Sequence, residues 1–178
     1  LKLPSEQAAQ VAQSALLHDI GKIAVPDAVL LKPGALTAKE RKAVQEHARI
    51  GHELLRFSPG LKALADAVLA HHERLDGSGY PGGLKGPHIG MAARILAVAD
   101  TYDTIRAGRP YAKSRSAAEA LSELRRCQGT QFDPAVVDAL ARCQSTLEAA
   151  LSQDDSTLKL LTAAGRSSSA GRRGTSRP

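Results

Sequence analysis

The sequence predicts an all-α fold, a helical bundle, and three observations carry that expectation. Aromatic residues make up only 3% of the chain and Trp is absent, so the core must be built from Ala, Leu, Val and Ile, the composition of closely packed helices. Apolar residues recur at helical spacing, as Ala43, Val44, Ile50, Leu54 and Leu55 do around His47. Proline, glycine and helix-cap signals then divide the chain into helix-length pieces.

The pieces follow in order. Pro4-Ser5 reads as a helix entry with Ser5 as the N-cap, and the helix is expected to reach about Asp19 and stop at Gly21. Pro26 and Pro33-Gly34 mark residues 20–36 as a loop. Thr37-Ala38-Lys39-Glu40 is a capping-box pattern that opens a second helix, expected to run through about Arg56. Ser58-Pro59-Gly60 breaks the chain, and a third helix carries Leu61 to about His72. Residues 74–90 hold many glycines and two prolines and must be a loop. A fourth, very apolar helix spans about Met91 to Arg106 and ends at Gly108 and Pro110. Ser116-Ala117-Ala118-Glu119 is a second capping box, and Gly129 ends the helix it opens. Asp133-Pro134 places a cap before a proline at the first helical position, starting a last helix expected to reach about Ala150. Residues 166–178, rich in Ser, Gly and Arg, bury too little to offset the entropy of ordering, so residues 151–178 read as a flexible basic tail.

The formal net charge of +6 fits an anionic ligand such as a phosphodiester, and equally a solvated surface. Nucleic-acid binding is disfavoured, because basic residues do not interleave with aromatics. Cys127 and Cys143 lack CxxC spacing and read as thiols of a reducing compartment. No apolar run is long enough for a membrane span and no signal peptide is visible, so the expectation is a soluble, cytoplasmic protein.

Chemistry concentrates in a few polar residues set against apolar helices. His18-Asp19 ends the run Ala15-Leu16-Leu17, and Lys22 directly follows Gly21. His47 lies inside a helical pattern, and His71-His72 close another apolar run. Asp100 follows Ile95-Leu96-Ala97-Val98-Ala99, where a buried carboxylate needs a compensating cation, either a metal or an Arg or Lys. His and carboxylate ligands on separate helices are how bundles build di-metal sites. Imidazole and carboxylate without thiolate suit Fe, Mn, Zn or Ni.

The run His18-Asp19-Ile20-Gly21-Lys22 resembles the signature of the HD phosphohydrolase superfamily. His71-His72-Glu73-Arg74-Leu75-Asp76-Gly77-Ser78-Gly79-Tyr80-Pro81 resembles the HHExxDGxGYP signature of its HD-GYP subfamily. Gly129-Thr130-Gln131-Phe132-Asp133-Pro134 and Arg109-Pro110-Tyr111 look like the same family, and the likeness extends over about residues 1–145. The resemblance implies a bundle of the HD-domain type that hydrolyses cyclic di-GMP to the linear dinucleotide or to GMP at a centre of two divalent ions, Fe or Mn ahead of Zn or Ni. Carried over by position, His18, Asp19, His47, His71, His72 and Asp100 would be metal ligands, with Asp19 bridging. Lys22 would contact a phosphate oxygen, so Asp19 and Lys22 would be the catalytic pair. Arg109 and Lys113 would lie near the nucleotide. Tyr80, in the loop Gly79-Tyr80-Pro81, would line the substrate pocket or meet a signalling partner.

Two departures accompany the likeness. The family has a further helix before its HD pair that brings another His ligand, and none of the seventeen residues before His18 is His. Residues 1–150 therefore read as an HD-GYP domain without that helix, with the site of Asp19, His47, His71 and His72 complete. Leu16, Leu17 and Ile20 would be left uncovered, which favours a homodimer. After Tyr111 the family often carries a basic residue where this sequence has Ala112, and Lys113 takes its place. The alternative reading is a catalytically degenerate binding module in cyclic di-GMP signalling.

Overall fold

The computed structural model describes residues 1–107 and 114–170, with the side chains of 153–170 excepted. Its secondary structure is helical, and among the described residues no strand forms beyond an isolated bridge between Gln128 and Phe132. The helices are α1 (Ser5–Leu17), α2 (Asp27–Leu30), α3 (Ala38–Gln45), α4 (His47–Arg56), α5 (Lys62–Ala70), α6 (Met91–Ala107), α7 (Ala117–Arg126) and α8 (Pro134–Ala170), with short 3-10 turns at Ile20–Ala24 and Gly86–His88. Leu1–Ala139 forms one compact unit, and the residues from Leu140 onward form a second. The site described below lies in the first unit.

Both capping boxes form. The Thr37 hydroxyl accepts from the Glu40 amide while the Glu40 carboxylate accepts from the Thr37 amide, and Ser116 and Glu119 repeat the arrangement. The cap expected at Ser5 does not form. Pro4 holds that position with an extended backbone, its carbonyl accepts from the Ala8 amide at 3.0 Å, and Ser5 is already helical. Nor is the second helix continuous. A turn at Glu46 separates α3 from α4, at the point where the His47 ring reaches back to the Val44 carbonyl. The last helix runs past the expected end at about Ala150 through residues 151–170, because no Gly or Pro occurs between Pro134 and Gly165 to stop it. The remainder of the expected tail, residues 171–178, lies outside the described residues, as do Arg109 and Lys113.

The core of the first unit is built where α5 meets its neighbours. Leu55 of α4 packs with Leu64, Ala65 and Val68 of α5, and Leu17 of α1 closes over them. Ala70, Ile89 and Ala93 continue this core toward α6. Of the face expected to be uncovered, Leu17 is therefore packed, whereas Leu16 is 86% exposed. The 3-10 turn lies against α4 so closely that a side chain at Gly21 would collide with the His47 carbonyl oxygen.

The glycine-rich segment after α5 is tied down by its backbone. The amides of Leu75 and Asp76 donate to the carbonyls of Gln131 and Thr130, joining this segment to the turn that precedes α8. Arg94 of α6 completes the tie, donating to Ile89 O at 2.7 Å, Gly86 O at 3.2 Å and the Asp133 carboxylate at 2.8 Å. Asp133 also caps α8 through the Ala135 amide at 2.8 Å. Both described cysteines are free thiols. Among the described residues no helix is long and apolar enough to cross a membrane.

Candidate metal centre

Three histidines reach the site from three helix ends and share one orienting device. His18 follows α1, His47 follows the turn that ends α3, and His71 follows α5. Their Nδ1 atoms lie 2.7, 2.6 and 2.6 Å from the carbonyl oxygens of Ala15, Val44 and Val68, each three residues back. Helix ends carry carbonyls without helical partners, and a carbonyl can only accept. Each Nδ1 therefore carries a ring proton and each ring turns its Nε2 to the site; in His47 and His71, where burial disfavours the charged ring, that Nε2 presents a bare lone pair, a tautomer that can ligate a metal.

The lone pairs converge. His47 Nε2 and His71 Nε2 stand 3.3 Å apart, and His72 joins them so that one donor atom from each residue lies within 4.8 Å of the other two. Two neutral nitrogens facing each other with lone pairs alone repel, so the pair calls for a cation between them. Ligands held about 2.1 Å from one ion fall roughly 3.0–3.4 Å apart in octahedral or tetrahedral geometry, and the observed separation fits.

Asp19 faces two ways. Its Oδ1 lies 3.5 Å from His47 Nε2, while its Oδ2 lies 3.4 Å from His18 Nε2. Asp100 stands on the His18 side, with Oδ1 3.8 Å from His18 Nε2. Lys22 donates to Asp19 Oδ2 at 2.5 Å. One carboxylate thus sits between a cluster of His47, His71 and His72 and a second group of His18 and Asp100. Asp100 is not the deeply buried carboxylate its apolar neighbours suggested. About a third of its side chain is accessible (35%), because it borders clefts on both sides of α6.

Burial sets the charge states. It drives the pKa of His71 down to about 4 and that of His72 to about 3, aided by neighbouring histidines, and lowers that of His47 as well. These rings are neutral near pH 7. Burial works the other way on Asp19, but the hydrogen bond and charge of Lys22 lead the opposing effects, and the carboxyl is held below its ordinary range. Neutral imidazoles and an ionised carboxylate are the protonation states that bind a divalent cation. The donor set, nitrogen and oxygen without sulfur, fits a first-row divalent ion.

Comparison with known proteins shows which family the chain belongs to. The sequence model of the HD domain family matches residues 1–136. The chain is 47% identical over 150 residues to the cyclic di-GMP phosphodiesterase response regulator RpfG of Xanthomonas campestris, covering 83% of this chain and 40% of that protein. It is 41% identical over 140 residues to a cyclic di-GMP phosphodiesterase of Thermotoga maritima, covering 78% and 38%.

The chain belongs to the HD domain family.

Its HHExxDGxGYP run places it in the HD-GYP branch. It is also 41% identical over 135 residues to the 3'3'-cGAMP-specific phosphodiesterase 3 of Vibrio cholerae, covering 76% of this chain and 29% of that protein. A crystal structure of a cyclic GMP-AMP specific phosphodiesterase of Vibrio cholerae shares the fold, with a TM-score of 0.58 at 22% identity over 81% of this chain and 40% of the other. The HD domain described here spans about two fifths of the length of the first two of these relatives.

Within this HD domain the GYP loop forms one wall of a cleft of about 280 Å³ that His71, His72 and Asp100 also border. The Tyr80 ring stacks on His72, centroids 4.8 Å apart and planes 27° apart. Burial, with Asp19 and Asp100 nearby, raises the pKa of its hydroxyl, which therefore keeps its proton. Gly79 is required by contact: a Cβ there would stand 2.5 Å from the Arg74 amide nitrogen and from Glu73 Cα. Sequence reasoning brought together His18, Asp19, Lys22, His47, His71, His72, Asp100 and Tyr80, and the structure does the same. It missed Glu73, which is buried beside the cluster, and the pair Arg94–Asp133 that anchors the loop. A glutamate placed between two histidines and a glycine-rich run of unpaired amides was the available signal.

Proposed function

We propose that this HD domain is a metal-dependent phosphodiesterase acting on a cyclic dinucleotide, cyclic di-GMP first. The observation that carries the reading is the two-sided Asp19 carboxylate, with His47 on one oxygen and His18 on the other. In this reading His47, His71, His72 and Asp19 hold one divalent ion, and His18, Asp100 and Asp19 hold a second, with Fe or Mn expected. Bound ions would supply charge neutralisation for the phosphodiester and acidify a water for attack.

The chain's own residues supply the rest. Lys22 offers the remaining hydrogens of its ammonium group to a phosphoryl oxygen. The Tyr80 ring gives a flat, protonated surface on which a purine can stack at the cleft wall. The named activities of the relatives above favour an enzyme over a degenerate binding module. Both cyclic di-GMP and 3'3'-cGAMP enzymes occur among them, so the choice between these substrates is the open arm of the test.

The test is hydrolysis of cyclic di-GMP and of 3'3'-cGAMP by purified protein loaded anaerobically with Fe(II) or Mn(II), beside His71→Ala. Turnover of cyclic di-GMP that the substitution abolishes supports the proposal. Preferential turnover of 3'3'-cGAMP would redirect the substrate assignment. Folded, metal-loaded protein with no turnover of either would overturn it.

A further inference from the structure

Glu73 lies beside the candidate metal centre but is engaged elsewhere. It directly follows His71 and His72, yet its carboxylate points into the GYP loop. It is only 4% exposed, and its Oε1 and Oε2 accept from the backbone amides of Gly82 and Leu84 at 2.6 and 2.9 Å. Position 82 makes room for this contact, since a Cβ there would lie 3.1 Å from Glu73 Oε1. From the opposite side Arg49, two residues beyond His47 on α4, donates to the Pro81 carbonyl at 3.1 Å. The Tyr80 amide in turn donates to the His72 carbonyl at 3.3 Å. The loop is thereby fixed at Tyr80 and at the residues after it by groups at or within two residues of the candidate ligands.

We propose that Glu73 is a positioning residue: its carboxylate clamps the Gly82 and Leu84 amides so that the Tyr80 ring is held against His72 as a wall of the substrate cleft. The inference rests on the phosphodiesterase reading above for its kinetic consequence, though not for the clamp itself. The physical basis is that both oxygens of a buried carboxylate are satisfied by these two amides, so weakening either contact leaves a buried acceptor without its partner. Glutamate is required because both oxygens accept. Glutamine keeps the shape but turns an NH₂ group toward one of the two amides, and aspartate is one methylene too short to keep both contacts.

The experiment uses the metal-loaded full chain with Glu73→Gln and Tyr80→Ala, singly and together. Amide hydrogen exchange at Gly82 and Leu84 is expected to rise at least about tenfold in Glu73→Gln, the loss of one charge-assisted hydrogen bond. Bound metal should stay unchanged. The KM for cyclic di-GMP is expected to rise about tenfold with a smaller change in kcat, because an interaction common to ground and transition state is weakened. The double variant should be little worse than Tyr80→Ala alone, since both changes act through one ring. Arg49→Met, which releases the Pro81 side of the loop, should shift KM in the same direction. Unchanged exchange in Glu73→Gln overturns the clamp. Raised exchange with wild-type KM, or fully additive effects with Tyr80→Ala, overturns the positioning role. If the wild type turns over neither cyclic dinucleotide, the phosphodiesterase reading fails, and exchange together with metal content still decides whether Glu73 clamps the loop.

Discussion

His47 and His71 turn their Nε2 atoms toward each other across 3.3 Å, each with its Nδ1 proton committed to a carbonyl of its own chain segment. Neither ring can relieve the contact by changing tautomer without giving up that hydrogen bond. The pair is arranged as a cation site would be, and on that reading its removal should be felt in metal binding before anything else. His71→Ala is expected to lower the affinity for Mn(II) at least about a hundredfold, more than the loss of a group that only orients a ligand. Isothermal titration of chelator-stripped protein measures it. An affinity within threefold of wild type, about 0.7 kcal/mol, would remove His71 from the ligand set.

The buried histidines make the metal-free protein sensitive to acid. In an unfolded chain each His titrates near about 6.5. In the folded protein, burial holds His71 near about 4 and His72 near about 3. Between those values the unfolded chain binds more protons, so stability is full above pH 6.5 and is lost as pH falls toward 4. Thermal unfolding of chelator-treated protein should give a lower Tm at pH 5.5 than at pH 7.5. An equal or higher Tm at pH 5.5 would mean that these rings are protonated in the folded state.

Lys22 should matter for turnover and not for metal content. Its ammonium group lies on Asp19 Oδ2, outside the cluster of His47, His71 and His72. Lys22→Met is expected to reduce kcat about a hundredfold, the usual cost of losing one donor to a developing oxyanion. Metal analysis of the variant should match wild type. Loss of metal in parallel with activity would instead make Lys22 a support for Asp19.

Gly21 is set by packing between the 3-10 turn and α4. A methyl group at this position meets the His47 carbonyl and would lie 2.6 Å from the Gly51 amide nitrogen. Backbone cannot yield as a flexible side chain does, so Gly21→Ala is expected to cost about 1–3 kcal/mol. Because the collision pushes on His47, metal affinity should fall with stability. Urea unfolding with and without Mn(II) checks both, and a variant as stable as wild type would show that the turn and α4 can part without cost.

The sequence by itself determined the helical class and both capping boxes, and it named the candidate site residues. These properties are local. A capping box is complete within four residues, and the two signature runs name their histidines and carboxylates in order. What the sequence left open depended on which backbone groups meet across the fold. The resemblance implied a bridging Asp19, but not which oxygen faces His47 and which faces His18, nor that Asp100 stays partly accessible at a cleft edge. The break at Glu46 and the run of α8 beyond Ala150 also differ from the sequence reading. Glu73 makes the contrast plainest. In the sequence it is only one letter of the signature run with no role assigned, and only the tertiary path of the loop, which returns the Gly82 and Leu84 amides to it, gives its carboxylate a partner. Hydrogen bonds between residues nine and eleven positions apart depend on that path, and local propensity carries no record of it.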